Sequence, residues 1–195
     1  DSDTPEGRRV NFDAIKPIYG KAVAWISVPG TRIDYPGRQT TDNTFYLKHN
    51  SDGMEASCGA IFLDALNTSS FNDAKSIIYG HNMRNLTMFG KLRYYRTDKT
   101  YYDTHQYFQV ITANKLYRYR IFTYMGVSDD DAVYYIYGRE PKGLDNFITR
   151  IRKYSPIASE EELSPEDKLV TLSTCMGDYS RFIVVAKLVD ERYRF

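Results

Sequence analysis

Cysteine is scarce in this chain: 195 residues hold only Cys58 and Cys175. Two are too few for a disulfide framework, so they form one bridge at most, or one of them is a reactive thiol. No run approaches 18 consecutive apolar residues, and the polar stretch Asp1 to Arg9 has no apolar segment behind it. No membrane span or export signal is therefore expected within these residues. Charge of one sign is also lacking: 26 Lys and Arg face 25 Asp and Glu, a net +1, so no global field favours nucleic acid or an anionic surface. Several chemistries have no motif here. There is no GxGxxG after a strand, no phosphate-cradling GxxxxGK, no HExxH, no GxSxG and no CxxC. The three histidines, His49, His81 and His105, are too scattered to predict a metal site, and no cofactor is expected.

What is present is a hydrophobic fraction of 42%, with 18 Tyr and 10 Phe beside a single Trp. That is one domain's worth of core, far too aromatic for a disordered segment. A chain of this size buries roughly 70% of its unfolded surface, so it needs no disulfide or structural metal for stability. The boundaries read as a flexible segment at 1–10 and one domain over 11–195.

Phe12, Ile15 and Ile18 share a helical face over about 11–19, with Pro17 ending or bending the helix. From Ala24 the pattern becomes strand-like: Ala24 to Val28, a Pro29-Gly30 turn, then Arg32 to Tyr35 stopped by Pro36-Gly37. Gly59 to Leu63 and Ser76 to Gly80 are short apolar runs of the buried-strand type. Met88, Phe89, Leu92 and Tyr95 fall at helical spacing over 87–95. Tyr107 to Thr112 and Leu116 to Val127 read as a hairpin, the second strand alternating Tyr117, Tyr119 and Ile121 with Arg118 and Arg120. Leu144, Phe147, Ile148 and Ile151 repeat at i, i+3, i+4, i+7 and predict a helix over 143–154, its early Asp145 and late Arg152 and Lys153 matched to the helix dipole. Leu169 to Thr174 and Phe182 to Val189 close the chain as strands. About eight short strands with few helices predict a mostly β protein, a closed or nearly closed antiparallel-rich barrel. Asn67-Thr68-Ser69 and Asn85-Leu86-Thr87 match the glycosylation sequon, a short and common pattern.

Cys175 ends an apolar strand and is followed at once by the polar Gly177 to Ser180. A thiol at such a strand end is partly exposed and able to meet a substrate. His81 holds an equivalent position after Ser76 to Gly80, and Arg181 returns six residues after Cys175 across a turn-length loop. Together they are a complete set for acyl transfer. The imidazole moves protons, the thiolate attacks a carbonyl to give a thioester, and the guanidinium fork holds the oxyanion or a substrate carbonyl. The alternative from spacing alone is a small buried hydrophobe at Cys175.

Thr171-Leu172-Ser173-Thr174-Cys175 with Arg181 beyond it, and Ile77-Ile78-Tyr79-Gly80-His81-Asn82 upstream, resemble the catalytic core of a sortase of class B. The likeness extends in order through Ala24 to Thr31, Ile33 to Pro36, Asp42-Asn43 with Tyr46-Leu47, Gly59 to Asp64 and Thr87 to Gly90, covering roughly residues 11 to 190. The resemblance implies an eight-stranded β-barrel with an N-terminal helix and an extra helix between the sixth and seventh strands. It also implies a cysteine transpeptidase, a peptidase acting on sorting-signal peptides, at the outer face of a Gram-positive cell membrane. The membrane is met only through an N-terminal anchor outside this sequence, and nucleic acid is not a partner. The enzyme would cleave a Pro-x-Thr type sorting signal after Thr, hold the surface protein as a thioacyl on the cysteine, and pass it to a peptidoglycan amine. By position the resemblance makes Cys175 the nucleophile, His81 the general acid and base, and Arg181 the oxyanion or substrate clamp. It puts substrate contacts on Asn43, Leu47 and Ser173, and more loosely on Tyr135 and Ile136. A pilin polymerase with a lysine acceptor, and a catalytically silent barrel that binds sorting signals, are the alternatives.

Met176 stands where many members carry an acidic or polar residue, the loop from Cys175 to Arg181 is shorter than in some, and Gly37-Arg38 replaces apolar residues. These departures concern which substrate is bound. Cys58 reads as structural, so two free thiols are expected; His49 and His105 read as surface or capping residues.

Overall fold

The computed structural model describes residues 10–19, 22–138, 143–157, 162–177 and 180–194. The segment expected to be flexible, 1–10, lies outside these except for Val10, as do parts of the acidic loop and of the loop after Cys175.

Eight strands close into a barrel in the order β1-β2-β3-β4-β7-β8-β6-β5. They are β1 (Ala24–Ser27), β2 (Asp34–Arg38), β3 (Ile61–Leu63), β4 (Lys75–Tyr79), β5 (Tyr107–Ile111), β6 (Lys115–Ser128), β7 (Leu169–Gly177) and β8 (Ser180–Tyr193). Closure leaves no strand edge to be protected. Two neighbour pairs, β2 with β3 and β4 with β7, are parallel, and the others are antiparallel. The helices are α1 (Phe12–Tyr19), α2 (Phe45–Lys48), α3 (Tyr94–Thr97), α4 (Tyr101–Thr104) and α5 (Leu144–Tyr154), the last lying in sequence between β6 and β7.

The period-2 pattern of β6 and β7 divides two cores. Tyr117, Tyr119, Ile121, Val170, Leu172, Val184 and Ala186 fill the barrel. Leu169, Ile183 and Val185, from the opposite faces of β7 and β8, meet Leu144, Phe147, Ile148 and Ile151 of α5. Burying each of those four helix side chains is worth about 1.5–3 kcal/mol, so α5 is held firmly on the outside of β7 and β8.

Three sequence expectations are corrected. Pro17 lies inside α1 and does not end it. Pro36-Gly37 does not stop β2, which runs on to Arg38; pairing with β3 begins only at Gly37, so Pro36 sits where its missing N–H costs little in the ladder. The helix expected at 87–95 starts later, as a 3₁₀ turn over Gly90–Arg93 leading into α3. Leu86 and Met88 have φ of 66° and 53°, which a helix excludes. Met88, Phe89, Leu92 and Tyr95 are nevertheless all buried. Asn67, of the first sequon, is buried too, its amide donating to Asp73 and to the Lys75 carbonyl.

Candidate active site

The parallel pairing of β4 with β7 ends with Tyr79 beside Ser173; β4 stops there, while β7 runs on to Gly177. His81 and Cys175 follow two residues after that last pair. Across β7 and β8, Cys175 is the register partner of Arg181. Three side chains separated by up to a hundred residues are thus brought to one end of three adjacent strands.

His81 is fixed from below. Its Nε2 lies 2.7 Å from the Leu47 carbonyl in α2; since a carbonyl only accepts, Nε2 carries the proton and Nδ1 keeps the lone pair of the neutral ring. Gly59 makes room for this arrangement. It has φ +58°, and a Cβ there would stand 2.5 Å from the Tyr46 carbonyl and 2.9 Å from His81 Cδ2. Asn82 donates from Nδ2 to the Cys175 carbonyl at 2.8 Å and accepts from Arg93 Nη2 at 2.7 Å, tying the ends of β4 and β7 together.

The thiol and the imidazole perturb each other. The His81 contact is the main cause that holds the Cys175 thiol below its ordinary value; burial opposes it, and the Arg181 charge adds to it. Reciprocally, the Cys175 contact raises His81, with burial opposing and the Leu47 carbonyl assisting. The direction is toward a thiolate–imidazolium pair. Arg181 Nη1 donates to the Ser180 carbonyl at 3.0 Å, and Nη2 lies 3.8 Å from Asp129. That ion pair is part-exposed and therefore weak.

Beside the pair runs a polar wall. Tyr134 bonds Ser173 through their hydroxyls at 2.9 Å and stacks on Tyr79, whose hydroxyl donates to Asp64 at 2.8 Å. Asn43 Nδ2 donates to the same Asp64 carboxylate, and its Oδ1 accepts from the Ala65 N–H. Asn43 and Ser173 therefore join one network. Ser173 is buried beneath Tyr134, whereas the Leu47 side chain is exposed. Tyr135 points to solvent at 66% exposure and stacks edge-on with Tyr137, with Ile136 partly covered between them. In that connection it is Tyr134 that reaches the strand end. Sequence reasoning missed Tyr134, Tyr79 and Asp64; the signal available was that Tyr79 ends β4 two residues before His81, on the same face.

The remaining candidates have structural work. His49 Nδ1 lies 2.8 Å from the Phe45 carbonyl and its ring stacks on Phe45; His105 does the same with Tyr101. Both close short helices. Cys58 and Cys175 are free thiols, and Cys58 packs against the barrel core. Among the described residues no cluster of acidic, Cys and His side chains forms a metal site, and no helix is long and apolar enough to cross a membrane.

Residues 26–189 match the family model of the sortase domain. Sortase B of Listeria monocytogenes is 36% identical over 175 residues, spanning 87% of this chain and 70% of that protein. A Bacillus anthracis protein described as similar to sortase B superposes with a TM-score of 0.81 at 31% identity, covering 94% of this chain and 83% of that one. The Staphylococcus aureus sortase B–substrate complex superposes with a TM-score of 0.83 at 26% identity, covering 92% and 84%. With the closed barrel, the helix between β6 and β7 and the shared strand end, these matches establish that the chain belongs to the sortase family, as a transpeptidase of class B.

Proposed function

We propose that this sortase cleaves a Pro-x-Thr type sorting signal after Thr at the cell surface, holds the protein as a thioacyl on Cys175, and transfers it to a peptidoglycan amine. The observation that carries the reading is the register: the parallel β4–β7 pairing ends at Tyr79 and Ser173, two residues before His81 and Cys175, with Arg181 opposite Cys175. In the forward step the Cys175 thiolate attacks the Thr carbonyl carbon. The C–S bond forms, and the carbonyl electrons move to oxygen beside the Arg181 guanidinium, whose fixed fork suits an oxyanion. Collapse breaks the C–N bond, and the imidazolium of His81 gives its proton to the leaving amine. The Tyr79–Tyr134–Ser173 wall and the exposed Leu47 side chain form the side along which the signal peptide lies, with Asn43 supporting it through Asp64. The Staphylococcus aureus sortase B–substrate complex, which shares this fold, supports a substrate-binding role.

The test is a library of Pro-x-Thr peptides offered with varied amines, including lysine side chains. Release of the fragment after Thr together with an amide-linked product is expected, with peptidoglycan-type amines used best. Release with lysine acceptors alone would move the reading to a pilin polymerase, and no release from any peptide would refute it.

A further inference from the structure

On β7, Ser173 and Cys175 share one face, while Thr174 and Met176 share the other. Behind that second face lies a cavity of about 110 Å³ with Asn82, Arg93, Arg96, Thr174, Met176 and Phe182 in its wall. Thr174 is 3% exposed, and its hydroxyl has no hydrogen-bond partner. A buried hydroxyl without a partner is costly, and a polar atom in the chamber would fill its valence. Arg96 and Phe182 also belong to the wall of an adjoining groove of about 570 Å³, with Tyr95, Lys99, Tyr124 and Tyr154. The two spaces form a path from solvent to the end of β7. There the pairing with β8 shifts register between Cys175 and Gly177, and Asn82, in the chamber wall, donates to the Cys175 carbonyl.

The path is cationic. Among the described residues no carboxylate pairs with Arg93, Arg96 or Lys99. Arg96 donates to the Met176 thioether, a weak acceptor, at 3.2 Å. Arg93 is spent on Asn82 and on the carbonyls of Met83 and Gly90. The nearest acid in the segment, Asp98, is turned to cap Thr100. Arg96 and Lys99 therefore face the groove with charge to spare, over aromatic walls.

Resting on the transpeptidase reading, we infer that this groove and chamber bind the amine acceptor, and that the acceptor carries an oxyanion that Arg96 and Lys99 hold while its amine passes Thr174 to the thioester. The charges act twice. They attract the oxyanion, and they disfavour the ammonium form of an amine brought into the chamber, so it arrives with its lone pair available. The nitrogen then attacks the thioester carbonyl carbon and a C–N bond forms. The C–S bond breaks, its electron pair returns to Cys175 as thiolate, and the proton from nitrogen passes to the neutral His81 ring. The donor occupies the Ser173 face of β7 and the acceptor the Thr174 face, so the two substrates do not compete for one groove.

The experiment measures acceptor use with a cleaved donor peptide, hydroxylamine release of the donor serving to normalise each enzyme. Triglycine with a free carboxylate is compared with triglycine amide, and phosphoethanolamine with ethanolamine. The wild type is expected to use the anionic member of at least one pair about tenfold better in kcat/KM. In the Arg96→Gln/Lys99→Gln double variant that ratio falls to near one, and in Thr174→Val acceptor KM rises several-fold. Whichever pair shows the preference identifies the anion as carboxylate or phosphate. Equal use of both members by the wild type, or a ratio unchanged in the double variant, overturns the acceptor site while leaving the donor reaction standing. Absence of hydroxylamine-driven release in the wild type would instead remove the transpeptidase reading, and this site with it.

Discussion

Lys75 opens β4 with a side chain that is 0% exposed. Its ammonium donates to the Val133 carbonyl and lies 4.4 Å from the Phe147 ring centroid and 5.1 Å from that of Tyr137. Burial pushes its pKa from 10.5 down to about 7, against the attraction of Asp64 and Asp131. The unfolded chain therefore keeps this proton up to about pH 10.5, and the folded protein releases it near 7. Between those values the unfolded state binds more protons, so stability rises with pH across the window and the full penalty stands below about 7. At 1.36 kcal/mol per unit, this one group makes the fold about 2–3 kcal/mol more stable at pH 9 than at pH 6. Lys75→Met removes the titration and leaves the Val133 carbonyl without its donor, a pH-independent cost of about 1–3 kcal/mol. Urea denaturation of both proteins at pH 6 and pH 9 isolates Lys75, since all other groups cancel in the difference. The stability of wild type minus variant should rise by about 2–3 kcal/mol from the lower pH to the higher. Parallel pH dependences would refute the buried charge. Because Val133 precedes Tyr134, the same variant should also weaken donor binding along the Ser173 wall, read as a raised KM.

Other consequences follow from the site. Arg181→Lys should lose about 100-fold in kcat/KM with little change in melting temperature, since an ammonium cannot reproduce the guanidinium fork; near wild-type turnover would remove Arg181 from its role. The rate should be bell-shaped in pH, the acid limb reporting a thiolate formed below the ordinary thiol range and the alkaline limb loss of the imidazolium proton above the ordinary imidazole range; a flat profile through neutrality would contradict His81 as proton carrier. Gly59→Ala should destabilise by about 1–3 kcal/mol and disturb His81. Gly53→Ala, with φ +80° but open space around it, should show only the backbone cost of about 1 kcal/mol with activity intact; equal losses of activity in both would refute the close approach to His81.

The parts of the fold legible in the sequence were those with local periodicity. The α5 face and the alternation of β6 both emerge from spacing alone, and each expected core residue there is buried. Barrel closure and the parallel β4–β7 pair depend on contacts across roughly a hundred residues, which no local pattern encodes, so the meeting of His81 with Cys175 stayed conditional until register was seen. The connection after β6 lacks a period, so nothing local in it singles out Tyr134, whose hydroxyl meets Ser173. Lys75, in a polar stretch beside Asp73 and Ser76, carries no sign of burial in the sequence; it is buried because Phe147 of α5 and Tyr137 cover it.

The most direct test of the account is the intact mass of the protein after brief incubation with a Pro-x-Thr donor peptide at low acceptor concentration. An adduct equal to the fragment ending at Thr, carried on Cys175, released by hydroxylamine and absent from Cys175→Ala, is the predicted result. Cleavage of the peptide with no such adduct, or an adduct that persists in Cys175→Ala, would contradict it.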